Sequence, residues 1–153
     1  MLLGRRLNPW HGNIGKRLVR APKIYVRDSG LLHQLLGIGD RETLLGHPIV
    51  GASWEGFMIE NILNSIPPEI EAHFYRTSAG AEIDLLLAPP GQKTIAIEIK
   101  RSLSPSVSKE FYIAAEDVGA GQRFLLYPRD EGEPPGIQIG SSRVVARHHA
   151  QSY

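Results

Sequence analysis

The chain has 153 residues, 42% of them hydrophobic, with 17 Lys and Arg against 16 Asp and Glu and no Cys. One domain's worth of chain can bury a sizeable core, and the missing Cys excludes disulfides, Cys-based zinc sites and thiol catalysis. No apolar run approaches the roughly 18 residues that a membrane span needs, and no apolar stretch follows the basic N-terminus, so no membrane partner and a cytoplasmic location are expected.

A net charge of +1 conceals an asymmetry. Arg5, Arg6, Lys16, Arg17, Arg20, Lys23 and Arg27 all precede the first acid, Asp28, which leaves +7 on residues 1–27 and −6 on the remainder. A basic arm on an acidic domain predicts contact with phosphate or with an acidic partner surface; the plainer reading is a solvated hairpin kept soluble by its charges.

Residues 1–27 read as a hairpin: Leu2, Leu3 and Leu7, turn material at 8–13, then a strand at Lys23–Arg27. It is too small to bury a core alone, so its apolar residues must pack elsewhere. Asp28-Ser29 can cap a helix over Gly30 to Leu36 that Gly37 ends, and a linker or short helix leads to Gly51. Ser53 is the expected N-cap of a helix from Trp54 to Ser65, closed by Pro67-Pro68. A strand at 70–76 follows, with Ile70, Ala72 and Phe74 alternating against Glu71, His73 and Tyr75. Beyond Arg101, Ser104-Pro105-Ser106 starts a helix over about 107–118. An apolar strand at 123–128, a Pro- and acid-rich loop at 129–136, and short strands at 136–139 and 143–146 complete the order.

The stretch from Gly80 to Arg101 carries the chemistry. Two apolar runs flank a Pro-Pro-Gly turn at 88–93, which predicts a β-hairpin. Strict alternation puts Ile83, Leu85, Leu87, Ile95, Ile97 and Ile99 on the core face and Glu82, Asp84, Glu98 and Lys100 on the other, with Leu86 and Ala96. Two carboxylates and an ammonium within mutual reach suit a divalent cation, because buried charges are costly unless paired or metal-bound. Asp84 and Glu98 can supply hard oxygen ligands to Mg²⁺ or Mn²⁺. Lys100 can orient or deprotonate a water, or stabilise phosphate charge, beside a metal acting as Lewis acid. The bland alternative is an exposed ion pair worth about 0 to 1 kcal/mol.

Asp84, Glu98 and Lys100 resemble the signature of the PD-(D/E)xK nuclease superfamily, with Ile83 in place of its Pro. The order α, β, β, β, α, β likewise resembles the restriction-endonuclease-like core, a mixed sheet flanked by helices. The likeness makes Glu55 its first-helix acid, with Glu60 as the fallback; attraction of an acid to a helix N-terminus would explain Glu55 equally well.

A broader resemblance rests on Asn13-x-x-Lys16-Arg17-Leu18-Val19, Pro22-Lys23-x-Tyr25-x-x-Asp28-x-Gly30-Leu31-Leu32, Gly51-x-x-Trp54-Glu55-x-Phe57, Phe74-Tyr75-Arg76-Thr77, Glu82-x-Asp84 and Ile97-Glu98-x-Lys100. These resemble the uncharacterised C-terminal domain of prokaryotic AAA-type ATPases. The resemblance implies an α/β nuclease-like domain at 51–153 carrying an N-terminal β-hairpin appendage, residues 1–50 being part of a winged-helix-like segment. No phosphate-binding Gly-rich loop with Lys-Ser/Thr occurs here, so an ATPase module is expected as a partner rather than within the chain, with a second copy of the chain as another.

Two functions follow from these residues. One is a Mg²⁺-dependent endonuclease acting on DNA, with Asp84 and Glu98 as ligands, Glu55 as helper acid, Lys100 as the transition-state or water-orienting group, and Lys16, Arg17, Arg20, Lys23 and Arg76 gripping phosphates. The other is a non-catalytic accessory domain that contacts DNA or protein. His33, His47 and His73 have no ligand spacing, and the tandem His148-His149 reads as a tail.

Overall fold

The computed structural model describes residues 3–12, 15–128, 136–139 and 142–145. Strands β1 (Gly4–Pro9) and β2 (Lys23–Val26) precede three helices, α1 (Ser29–Leu35), α2 (Arg41–Gly46) and α3 (Val50–Ser65). Next come β3 (Glu71–Arg76), β4 (Glu82–Ala88), β5 (Ile95–Ile99), α4 (Lys109–Asp117), β6 (Gln122–Tyr127), β7 (Gly136–Ile139) and β8 (Ser142–Val145). The strands form one mixed sheet in the order β2-β1-β3-β4-β5-β6-β7-β8, parallel at β1/β3 and β5/β6 and antiparallel elsewhere. The expected α/β class with a mixed sheet flanked by helices is therefore present. The predicted loop at 129–136 falls mainly, and His148-His149 wholly, outside the described residues.

Helices cover the two faces of the sheet, which explains why its central strands are apolar on each side. Met58 and Ile59 of α3 pack with Leu7, Phe74, Leu85, Leu87, Ile97 and Ile99. On the opposite face Phe111, Ala114 and Ala115 of α4 meet Tyr75, Ala81, Ile83, Leu86 and Ala96. Tyr75, expected on a polar face with Glu71 and His73, is instead wholly buried and donates its hydroxyl hydrogen to Asp117 at 2.9 Å. The N-terminal hairpin extends this sheet: Asn8 and Pro9 of β1 run parallel to His73 and Phe74, and Trp10 N–H donates to Phe74 O.

Two helix starts differ from expectation. Helix α3 begins at Val50, preceded by Ile49 with no side-chain cap, so Ser53 lies inside it, its N–H bonded to Ile49 O. The chain passes from the end of α2 into α3 through His47-Pro48-Ile49, with Ile49 N–H on His47 Nδ1 and Val50 N–H on His47 O. Glu55 consequently stands beyond the first turn, and attraction to the helix N-terminus does not account for it. Helix α4 begins after Ser108 rather than at 104–106, because Ser108 Oγ accepts from Phe111 N–H at 3.1 Å while donating to Glu98. Asp28, by contrast, caps α1 as expected, accepting from Leu31 N–H at 2.9 Å.

The face assignment within the central hairpin also changes. Between His73↔Leu86 and Tyr75↔Ile83, β4 spends three steps where β3 spends two, a β-bulge. Alternation slips there: Ile83 joins Leu86 on the α4 side, whereas Leu85 and Leu87 face α3. The expected core set of Ile83 with Leu85 and Leu87 is thus split by one extra residue.

Packing on α4 gives a direct check. Phe111→Ala is expected to lower the unfolding free energy by about 3–5 kcal/mol. Tyr112→Ala, at its exposed neighbour, should change it by less than about 1 kcal/mol, both read from urea unfolding curves.

Candidate functional site

Lys23 and Tyr25 alternate on β2 and so reach the same side. The Lys23 ammonium lies 2.9 Å from Glu82 Oε1, 3.1 Å from Glu55 Oε1 and 3.9 Å from Asp84 Oδ1. It also sits 5.4 Å above the Phe74 ring centroid, a favourable cation–π distance. The Tyr25 hydroxyl donates to Glu55 Oε1 at 2.6 Å. The bulge turns Asp84 toward Glu55, and Asp84 Oδ2 accepts the Ile99 N–H at 2.8 Å.

This is a crowded set of charges. Burial works to lower the Lys23 pKa, yet Glu55, Glu82 and Asp84 outweigh it and hold the ammonium above its ordinary value. Burial, then the Glu55 charge, raises the Tyr25 hydroxyl. Asp84 is pushed up from 3.8 to about 7, first by burial and then by the neighbouring Glu55 carboxylate, against the lowering effects of Ile99 N–H and Lys23.

The other two residues of the expected constellation, Glu98 and Lys100, lie on β5 and just beyond its end. Glu98 lies between Ile97 and Ile99, which face α3, so it points to the α4 side. There it is 4% exposed, and Ser108 N–H donates to Oε2 at 3.1 Å. Glu98 Oε1 accepts from Ser108 Oγ and lies 2.9 Å from Lys100 Nζ. Burial is the largest influence on Lys100 and works to lower its pKa, but the Glu98 hydrogen bond and charge, joined by the charges of Asp84 and Glu110, together outweigh it and keep the pKa above normal. Trp54 Nε1 donates to Lys100 O at 3.1 Å, fixing this strand end against α3. Asp84 and Glu98 therefore do not share the face that strict alternation assigned them. Among the described residues no group of three or more Asp, Glu or His side chains is placed to hold a metal ion, and the space between Glu55, Glu82 and Asp84 is taken by an ammonium.

The basic arm divides. Arg5 grips Glu60 with Nε and Nη2 at 2.8 and 2.9 Å, and Arg27 Nε reaches Glu60 Oε1 at 2.9 Å. Glu60, the fallback helper acid, is thus a buried clamp holding the hairpin to α3. Its carboxyl is held below the usual range, chiefly by the Arg5 hydrogen bond. Lys23 faces inward rather than toward a phosphate, Lys16 pairs with Asp117, and the exposed Arg76 lies 3.7 Å from Glu82. Arg17 and Arg20 remain exposed, with no carboxylate partner among the described residues. Their backbone is fixed, since Leu18 bridges Thr77, Val19 N–H donates to Arg76 O, and Arg17 O accepts from Ser78 N–H.

Residues 50–143 match a domain of unknown function (DUF4143), and residues 1–42 match a second domain of unknown function (DUF8612). The chain belongs to the DUF4143 family. Uncharacterized proteins of Mycobacterium bovis and Mycobacterium tuberculosis are each 43% identical to it over 133 residues, 87% of this chain and 30% of either relative. The chain thus spans under a third of the length of these curated relatives. No solved structure matches it. The DUF4143 region supplies Glu55, Glu82, Asp84, Glu98 and Lys100, but Lys23 and Tyr25 come from the region preceding it. The three carboxylates meet their ammonium and Tyr hydroxyl only when the two matched regions are folded together.

The Asp84 shift fixes a pH dependence. Because the folded value lies above the ordinary one, the folded chain holds this proton more tightly than the unfolded chain. Its stabilisation is full below about pH 4 and lost as pH rises through about 7. Asp84→Asn keeps an acceptor for Ile99 N–H and removes the charge. The variant should therefore gain stability relative to wild type progressively between about pH 4 and 7. Unfolding curves measured across that range check it, and a constant difference would contradict the assignment.

Proposed function

We propose that this DUF4143 chain is a non-catalytic accessory domain that contacts nucleic-acid phosphates and is attached, in longer proteins, to an ATPase module. The observation that carries the reading is the fate of its basic arm. Four of its cations are spent on internal acids, while Arg17 and Arg20 stay exposed on a backbone anchored to β3. Guanidinium forks held on a rigid edge are suited to phosphate oxygens and need little ordering on binding. The groups expected to do chemistry are already paired, Glu98 with Ser108 and Lys100, and Asp84 with Ile99 N–H beside Lys23. The element sequence α3-β3-β4-β5-α4-β6 supports a restriction-endonuclease-like ancestry for the scaffold, and fold alone does not make a nuclease.

One observation favours the second reading, metal-dependent cleavage of DNA. Three carboxylates face one ammonium at the Lys23 cluster, an excess of negative charge that a Mg²⁺ or Mn²⁺ ion would offset. Asp84, with Glu55 and Glu82, would hold such an ion once Lys23 withdrew. The ion would lower the pKa of a bound water and polarise a phosphate, with Lys100 near the reacting charge.

Two measurements separate the readings. Duplex DNA binding should weaken with salt, and Arg17→Gln with Arg20→Gln should reduce the log–log salt slope by about 2. Calorimetric titration of Mn²⁺ should give no heat that an Asp84→Asn, Glu98→Gln double variant abolishes, and no DNA should be cut. Mn²⁺ binding lost in that variant, together with cleavage, would replace the first reading by the second.

A further inference from the structure

Away from the carboxylate cluster, a cavity of about 510 Å³ opens between the helices α1 to α3 and the segment following β5. Its walls are mainly apolar, among them Leu44, Leu45, Trp54, Phe57 and Leu103. Leu45, Phe57 and Leu103 are exposed by 50%, 46% and 60%, unusual for large apolar side chains gathered around one hollow. The same cavity contains a small polar group, Ser53 Oγ and His33 Nε2 at 2.7 Å, and Arg101 at its lining. Arg101 has no carboxylate partner among the described residues.

A Ser–His pair in an apolar hollow invites comparison with acyl-transfer chemistry, and the local backbone argues against it. Ser53 lies within α3 and its N–H is spent on Ile49 O; the indole N–H of Trp54 is likewise spent on Lys100 O. Neither is left to stabilise an oxyanion, the requirement that dominates such reactions. The arrangement instead has the makings of a binding site: an apolar container of ligand size with few, convergent polar groups.

We propose that this cavity binds a single-chain amphiphile with a carboxylate headgroup, its hydrocarbon against Leu44, Leu45, Phe57 and Leu103 and its carboxylate on Arg101. Charge complementarity selects the headgroup, because a lone guanidinium fork without an internal acid matches one carboxylate in two parallel hydrogen bonds. The exposed Leu and Phe side chains select the tail, since covering them removes apolar surface from water. Ser53 and His33, already hydrogen-bonded to each other, supply a polar wall beside Arg101. This site is independent of the nucleic-acid reading and uses none of its residues.

Dodecanoate, kept below its micelle concentration, is the probe, and Trp54 is the reporter in a Trp10→Phe background. A saturable change in Trp54 emission with one site per chain is expected. Arg101→Gln should weaken binding about tenfold, and dodecanol should bind the unaltered chain about tenfold more weakly than dodecanoate, as expected for loss of one charged hydrogen-bond pair. Equal affinity for the acid and the alcohol, or no saturable change together with unmoved NMR signals of the Leu44, Leu45 and Leu103 methyls, would overturn the proposal. So would self-association in sedimentation that Phe57→Asp abolishes, since a second copy would then cover the cavity.

Discussion

A single ammonium among three carboxylates ties the first hairpin to both α3 and β4. Lys23 belongs to β2, Glu55 to α3, and Glu82 and Asp84 to β4, so one side chain joins three elements that are distant in the chain. Its value lies less in net attraction than in what its absence would leave. Buried ion pairs contribute modestly when intact, but removing one partner strands uncompensated charge, at about 3–5 kcal/mol for a fully buried pair. Here three acids would be stranded together, with partial exposure softening the penalty. Arg5 and Arg27 on Glu60 repeat the device a little further along α3.

The charge asymmetry thereby acquires a meaning that composition alone leaves open. The acidic partner surface that a basic arm calls for is largely the chain's own domain. Four of the seven basic residues before Asp28 meet Glu55, Glu60, Glu82, Asp84 or Asp117, so +7 and −6 are chiefly two halves of one internal neutralisation. Only the remainder is available to an external anion. Of the three that remain, Arg6 donates to Asn8 Oδ1, and the proposed phosphate surface narrows from the whole arm to Arg17 and Arg20.

Much of the fold was legible because its signals are local. Apolar runs, the Asp28 cap, Gly37 and the Pro-Pro-Gly turn, with Gly91 at φ +68°, mark elements within a few residues of where they occur. The strands expected at 136–139 and 143–146, found at 136–139 and 142–145, were readable for the same reason. What escaped depends on contacts between remote segments. Nothing near Ser108 in the chain announces that its hydroxyl will serve Phe111 and Glu98 together. Ser53 looks like a cap because it precedes Trp54 and Glu55, yet the chain was already helical from Val50. Lys23 and Tyr25 did carry a usable signal, their two-residue spacing on a strand, but only the β1–β3 pairing tells which acids lie in front of them.

The bulge at Asp84-Leu85 shows how one residue alters a site. With regular pairing, Asp84 and Glu98 would project from the same face of neighbouring strands, the arrangement that two-carboxylate metal binding requires. The extra residue in β4 carries Asp84 to the α3 side, while Glu98 keeps its place between Ile97 and Ile99 and meets the start of α4. Each acid then finds its own local partners: a peptide N–H and an ammonium for the first, a helix cap and Lys100 for the second. A short spacing motif records residue types and separation, and it is blind to a one-residue slip that changes the face. Since bulges often serve to re-aim a side chain, the physical question for this family is which cation Asp84 is aimed at. The geometry answers with the nearest one available, the ammonium of Lys23.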